Sequence, residues 1–305
     1  MKKYNLFLFI AVIVTFYSCQ EEDVIIQDSP QAINNENFKV EVVDNMLYFE
    51  SRNEYENTID YLAQIGDENF SNWEKEISFN SMRANFNEKV LMKMGVEDDL
   101  LATLLNPESQ IRIGDNVFEI DMNNESISVT PISDFSNVYD FGYKKNSKEY
   151  STEDDVLDII DGVITEEEEY QNRKKRHCRR VKNGPYIWTT PDGLVEVKTK
   201  VVYQRFGIYK SLQAKIKKNS IGNYSGIYLS MKVVNDYNGK ECYWRNKRRE
   251  GTISGQKSGT GREYNIRAYN RTRGLKDFVF RVAFEAYRSD DGWSQGSVRR
   301  IKCSR

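Results

Sequence analysis

The 305-residue sequence predicts an α+β N-terminal domain followed by an all-β antiparallel sandwich. Three observations carry that expectation. Between residues 36 and 145, apolar residues at helical spacing alternate with short strand-like runs; from residue 185 onward period-two alternation takes over. The charge reverses between these two stretches. Residues 171–305 hold 32 Lys/Arg and 10 Asp/Glu, a net of +22, and the remaining 12 and 36 of the totals of 44 and 46 leave residues 1–170 at −24. The near-neutral chain is a cancellation of two opposed halves.

Residues 1–18 read as a secretory signal. Lys2 and Lys3 precede an apolar stretch over residues 6–17, and Ser18 is the small residue ahead of Cys19. The stretch is short for a spanning helix, which needs about 20 apolar residues. A cysteine at the cut resembles a bacterial lipoprotein signal, in which Cys19 is acylated, with palmitate for example, and becomes the new N-terminus. The acidic run Gln20-Glu21-Glu22-Asp23 resembles the export tag of Bacteroidota surface lipoproteins. The expected location is the outer membrane, lipid-anchored and exposed at the cell surface. Residues 19–35 are polar and aperiodic, a flexible tether.

In the 36–145 domain, Phe38, Val40 and Val42 form a strand whose hairpin partner is Met46-Leu47-Tyr48-Phe49, turning at Asp44-Asn45. Ser51 and Glu54 make a capping box ahead of a helix through Tyr55, Ile59 and Leu62, closed by Gly66. Phe70, Trp73 and Ile77 suggest a second helix, and Leu100, Leu101, Leu104 and Leu105 another. Ile111, Ile113, Val117, Phe118 and Ile120 lead into a strand pair that turns near Asn123-Asn124 toward Ile127 and Val129. Residues 146–184 read as an acidic-to-basic linker, since Glu166–Glu169 give way to Arg173-Lys174-Lys175-Arg176-His177-Cys178-Arg179-Arg180.

Two motifs in the first half carry a resemblance. Leu47-Tyr48-Phe49-Glu50-Ser51 with the following helix and Trp73-Glu74 is one; Leu104-Leu105-Asn106 running into Ile111-Arg112-Ile113-Gly114-Asp115 is the other. Together, over roughly residues 1–135, they resemble a family of Bacteroidota surface lipoproteins with a domain of unknown function. The resemblance implies a compartment and a lineage, and for the matched residues a role in packing.

The sandwich, residues 185–305, shows its strands as alternating runs. Val195, Val197, Thr199, Val201 and Tyr203 point one way and Lys198 and Lys200 the other; the pattern recurs around Ile208–Ile216, Ile227–Val233, Tyr264–Ala268 and Phe278–Ala286. Most basic residues fall in the outward phase. Three cysteines remain after Cys19, which permits one disulfide and three pairings; Cys242 and Cys303 share the inward phase and are the expected pair.

The chemistry is sparse. His177 is the only histidine, so a His-rich zinc site or any His-dependent catalytic pair would have to rest on it alone, and inside a basic run it reads as a surface residue. The glycines of residues 255–261 lack a P-loop lysine and read as a hairpin loop. Asp121, Asn123 and Glu125 span a hairpin tip too short for a calcium loop. No catalytic residue, metal site or cofactor is expected. Base and aromatic residues do interleave: Tyr243, Arg245, Lys247, Arg248 and Arg249; Arg267 and Tyr269; and Trp293. Rings for stacking beside cations for acids suit an anionic polysaccharide or other glycan; nucleic acid is not the expected partner.

The expected function is therefore a non-enzymatic surface lipoprotein, held on the membrane through Cys19, whose basic sandwich binds an anionic or carbohydrate ligand. The alternative is a structural or docking subunit of an envelope protein complex, and third a carboxylate glycosidase. Two other readings account for the charge without a ligand: the acidic half neutralises the basic half within the molecule, or the basic residues are a solvated face.

Overall fold

Asp44 and Asn45 both take positive φ, 50° and 60°, as a two-residue hairpin requires, and the chain reverses there between β1 (Glu41–Val43) and β2 (Met46–Phe49). In this computed structural model the described residues are 40–135, 146–176, 178–220, 226–234, 238–241, 250–251 and 255–303. The Ser51 side chain caps α1 (Arg52–Ile65) by accepting from Glu54 N, and the Glu54 carboxylate accepts from Glu50 N at 2.8 Å. Four short helices follow: α2 (Phe70–Glu76), α3 (Met82–Asn85), α4 (Glu88–Lys93) and α5 (Asp99–Leu104). Ser81, Asn87 and Asp98 cap the last three by accepting from backbone N–H groups, which releases the chain into a new direction at each cap.

β3 (Gln110–Ile113), β4 (Asn116–Asp121) and β5 (Ser126–Pro131) run antiparallel, and α6 (Ile132–Phe135) follows. Then come β6 (Lys148–Ser151), α7 (Val156–Ile160) and α8 (Glu166–Arg176). The six strands make one mixed sheet in chain order, antiparallel except where β2 lies parallel to β3. Residues 146–176, expected within a linker, thus supply a strand and two helices; Tyr150, Val156 and Leu157 are buried in the core beneath this sheet.

The remaining strands are β7 (Val181–Thr189), β8 (Val195–Arg205), β9 (Lys210–Ser220), β10 (Ile227–Val233), β11 (Asn238–Glu241), β12 (Glu250–Gly251), β13 (Gln256–Gly259), β14 (Glu263–Arg271), β15 (Leu275–Arg288) and β16 (Ser294–Cys303). They form two antiparallel sheets, β14-β9-β8-β7 and β12-β11-β15-β10-β13, with β16 also on β15. Val197, Val201, Leu212, Ala214 and Ile216 of the first sheet meet Leu229, Met231, Phe280, Val282 and Phe284 of the second, giving the sandwich its core. The alternation read from the sequence is the inward phase observed here, except at Ile208, which is buried in the core of the first half. β7 begins at Val181, ahead of the expected start at residue 185.

Cys303 is bonded to Cys178, which corrects the expected Cys242–Cys303 pairing. The cause lies in the topology: β16 comes to lie beside β7, where Asn183 Nδ2 donates to Arg300 O, so the segment leading into β7 brings Cys178 to the end of β16. Cys242 lies outside the described residues, as do Cys19 and His177.

Both cores belong to one compact unit, residues 38–305. The β8–β9 turn locks them together. Phe206, Ile208 and Tyr209 leave the sandwich and are buried in the first core, at roughly 1.5–3 kcal/mol for each fully buried apolar side chain. Gly207 sits at φ 68°, its N–H donates to Thr152 O at 2.7 Å, and a Cβ there would overlap Ile127. Among the described residues no helix is long and apolar enough to cross a membrane.

Candidate functional site

β8 and β9 each carry two lysines at period-two spacing, Lys198 and Lys200 on one and Lys215 and Lys217 on the other. Val197, Val201, Ala214 and Ile216 point into the sandwich, so these lysines stand on the opposite face, toward the helices of the acidic half. The turn over residues 206–209 sets Arg205 opposite Lys210. That register places Lys198 directly across from Lys217 and Lys200 directly across from Lys215. Like charges directly opposite on paired strands repel. A square of four ammonium groups therefore needs counter-charge.

Most of it comes from the acidic half. Glu97, buried just ahead of α5, accepts from Lys182 at 2.8 Å and Lys200 at 3.2 Å and pairs with Arg180 at 3.3 Å. Asp99 accepts from Lys215 at 2.6 Å, and Glu88, the first residue of α4, pairs with Lys217. Glu263 on β14 bridges Lys215 and Lys217, the latter at 3.4 Å. Burial works against each of these carboxylates, but the lysines outweigh it and hold Glu88, Glu97 and Asp99 below the usual carboxylate range. Lys200 lies below its ordinary range, first through burial and then through the charge of Lys215. Lys215 is buried too, yet Asp99 and Glu263 together hold it above.

One corner of the square is left short. Among the described residues Lys198 reaches only Glu196, at 3.7 Å, and its side chain is 40% exposed. A groove of about 810 Å³ opens there, within the usual range for ligand sites. Lys89, Lys182 and Arg262 join the four lysines on its wall; Met92, Pro185 and Ile187 give it an apolar side, and Glu88 and Glu97 are its lining carboxylates. Lys218 also lines it, but belongs to the inward phase: its ammonium donates to Ile227 O and Thr260 O, both at 2.7 Å, closing one end of the sandwich.

The other buried charges join the halves. Arg267 bonds Asp67 and Asp98 and lies over the Phe70 ring; Lys210 and Arg205 converge on Asp155; Arg273 grips Asp158. Among the described residues, nine acids of the first half hold ten bases of the second. Asp67, Asp99 and Glu263 come within metal-binding distance of one another, but Arg267, Lys215 and Lys217 are their partners. Asp121 accepts from Asn123 N and Asn124 N at its hairpin tip, an Asx turn.

Of the residues expected to bind ligand, Arg267 has a side chain only 7% exposed and holds the acidic half as above, and Tyr269 is buried in the sandwich core with its hydroxyl donating to Arg273 O at 2.7 Å. Trp293 is half-buried against the same core. Tyr243, Arg245, Lys247, Arg248 and Arg249 lie outside the described residues. The groove residues were not singled out in the sequence as a site. Their signal is a Lys-x-Lys pair on each of two consecutive strands around Phe206-Gly207-Ile208-Tyr209; taking that tetrapeptide as the turn pairs the lysines at once.

No protein-family model and no curated protein matches the sequence. Among solved structures the chain is similar to a DUF4848 family protein from Bacteroides thetaiotaomicron VPI-5482, with 12% identity over 87% of this chain and 100% of that chain and a TM-score of 0.21.

Proposed function

We propose that this is a non-enzymatic, lipid-anchored protein of the outer membrane that binds an anionic glycan in the lysine-lined groove. The observation that carries this reading is the pair of directly opposed lysines, Lys198–Lys217 and Lys200–Lys215, walling a groove with one corner short of counter-charge. A solvated sheet face gains nothing from like charges placed opposite each other. An anion in the groove does relieve them. The exposed Ile187 and Met92 on the same wall offer apolar contact to the C–H face of a sugar ring.

The other readings have less support. A docking face on the acidic half would need free carboxylates, and many of them are held by the basic half. For a glycosidase one groove carboxyl should stay protonated near neutral pH. Glu88 and Glu97 are instead both held below the usual range by lysines.

The test is retention of the full-length protein on an acidic polysaccharide matrix. Binding should fall steeply with salt, as lysine contacts to a polyanion do, and Lys198→Glu should sharply weaken it while leaving the melting temperature near that of wild type, since the Lys198 side chain is 40% exposed and its contact to Glu196 is 3.7 Å. Retention that ignores both the salt and this reversal would refute the groove. The anchor is tested separately: Cys19→Ser should remove fatty-acid labelling, and equal labelling would refute it.

A further inference from the structure

The two groove carboxylates differ in kind. Glu97 is sealed, with a side chain 6% exposed beneath three cations. Glu88 is 49% exposed, stands on the first turn of α4 and reaches across the groove mouth to Lys217. Lys217 keeps a second partner, Glu263, if Glu88 leaves. Lys198, directly opposite, has among the described residues only the loose contact to Glu196. Directly opposed residues on antiparallel strands have Cβ atoms about 4.5–5.5 Å apart, so one carboxylate can bridge both ammonium groups. The same cross-strand row continues from Lys198 to Ile187, which is 53% exposed and lines the groove. Two point-charge donors next to a bare aliphatic side chain make a surface for a carboxylate attached to an apolar ring face.

Resting on the glycan-binding reading above, we infer that Glu88 is an internal stand-in for the ligand's acid group, and that the ligand is a uronate-bearing glycan whose carboxylate replaces Glu88 on Lys217 and bridges to Lys198. The sugar ring then lies on Ile187. Glu97 stays in place and keeps Lys182 and Lys200 compensated, so binding needs no opening of the fold. Glu88 lowers the affinity of the free groove by competing for Lys217, and it disfavours neutral sugars, which cannot replace its charge.

The experiment is calorimetric titration of tetragalacturonate into the full-length protein in detergent at low salt, with maltotetraose and a sulfated tetrasaccharide as companion probes. Glu88→Gln should bind tetragalacturonate about two- to fivefold tighter, the span expected for freeing one exposed ion pair. Lys198→Met should bind it several-fold more weakly, and maltotetraose should not bind any form. A melting temperature for Glu88→Gln within about 3 °C of wild type would show that the gain is not a folding effect. If Glu88→Gln binds no tighter while Lys198→Met still binds more weakly, the stand-in role is overturned and the groove survives. Equal or stronger binding of the sulfated probe overturns the uronate assignment. If no acidic probe binds wild type, the glycan-binding reading fails with it.

Discussion

Replacing Asp155 with alanine should cost far more stability than its single charge suggests. Asp155 is 3% exposed, between β6 and α7. One of its oxygens accepts from Lys210 at 2.8 Å, from Arg205 at 3.4 Å and from Gly274 N at 3.0 Å. Both cations have fully buried side chains. Burial already pulls Lys210 below its ordinary range, against the Asp155 charge that supports it. Removing one partner of a buried pair costs about 3–5 kcal/mol, because the other is left uncompensated. Total stabilities run to about 5–15 kcal/mol, so about a fifth or more is at stake. At about 2–4 °C per kcal/mol for a chain of this size, the melting temperature should fall by about 6–20 °C in calorimetry. Asp60→Ala is the control: its pair with Arg271 is 40% exposed on both sides and should be worth under about 1 kcal/mol. Adding Lys210→Met to Asp155→Ala should recover part of the loss, since it removes one orphaned charge. The reasoning fails if Asp155→Ala melts within 2 °C of Asp60→Ala, or if Lys210→Met only adds to the damage.

Two further outcomes follow from the same network. Burial, and then the charge of Asp155, push the Glu169 carboxyl from its ordinary 4.5 up to about 8. The folded state holds a proton that the unfolded chain releases, so this contribution is complete below pH 4.5 and is lost as pH rises through 8. Urea midpoints should therefore decline between pH 5 and 8, and Glu169→Gln should flatten the decline; an unchanged slope would exclude Glu169 as its source. A fragment of residues 171–305 should show no cooperative thermal transition at physiological salt, because Arg205, Lys210, Lys215 and Arg267 lose Asp155, Asp99, Asp67 and Asp98 at once. A sharp transition with a β-type circular dichroism spectrum would contradict that.

What could be read in the sequence was what adjacent residues decide among themselves. Ser51, Glu54 and Gly66 bound α1 through contacts within one turn, and Asp44-Asn45 set a hairpin register by their own backbone preferences. The inward phase of β8, β10 and β15 followed from period two alone. The parallel β2–β3 pairing joins segments about 60 residues apart and has no local signature. β6 is four residues long and only Tyr150 in it is buried, too little alternation to stand out from a linker. Phe206, Ile208 and Tyr209 look like the start of a strand because they are apolar, yet they serve the other core. The Cys178–Cys303 bond depends on β16 lying beside β7, which no spacing encodes. The groove fell between these cases: its lysines were visible as an outward phase, but their opposition needed the turn.

The pairs narrow the meaning of the charge asymmetry. A half at +22 and a half at −24 allow three readings in the sequence: a face for an anionic partner, a solvated face, or two halves that neutralise each other. In the fold much of each is the other's partner: the Arg205, Lys210 and Arg267 side chains, all nearly covered, each meet carboxylates from the first half. A ligand cannot draw on charges that are already spent, since displacing a buried partner would leave an orphaned ion at a cost of several kcal/mol. It can draw on the remainder. That remainder is found where the helices of the acidic half end their cover of the β8–β9 face, at Lys198, with Lys89 and Arg262 exposed nearby on the same groove. On the proposed reading, specificity comes from position: four ammonium groups fixed by strand register hold their spacing better than an equal charge scattered over loops, and Glu88 is the charge that an entering anion has to replace on Lys217.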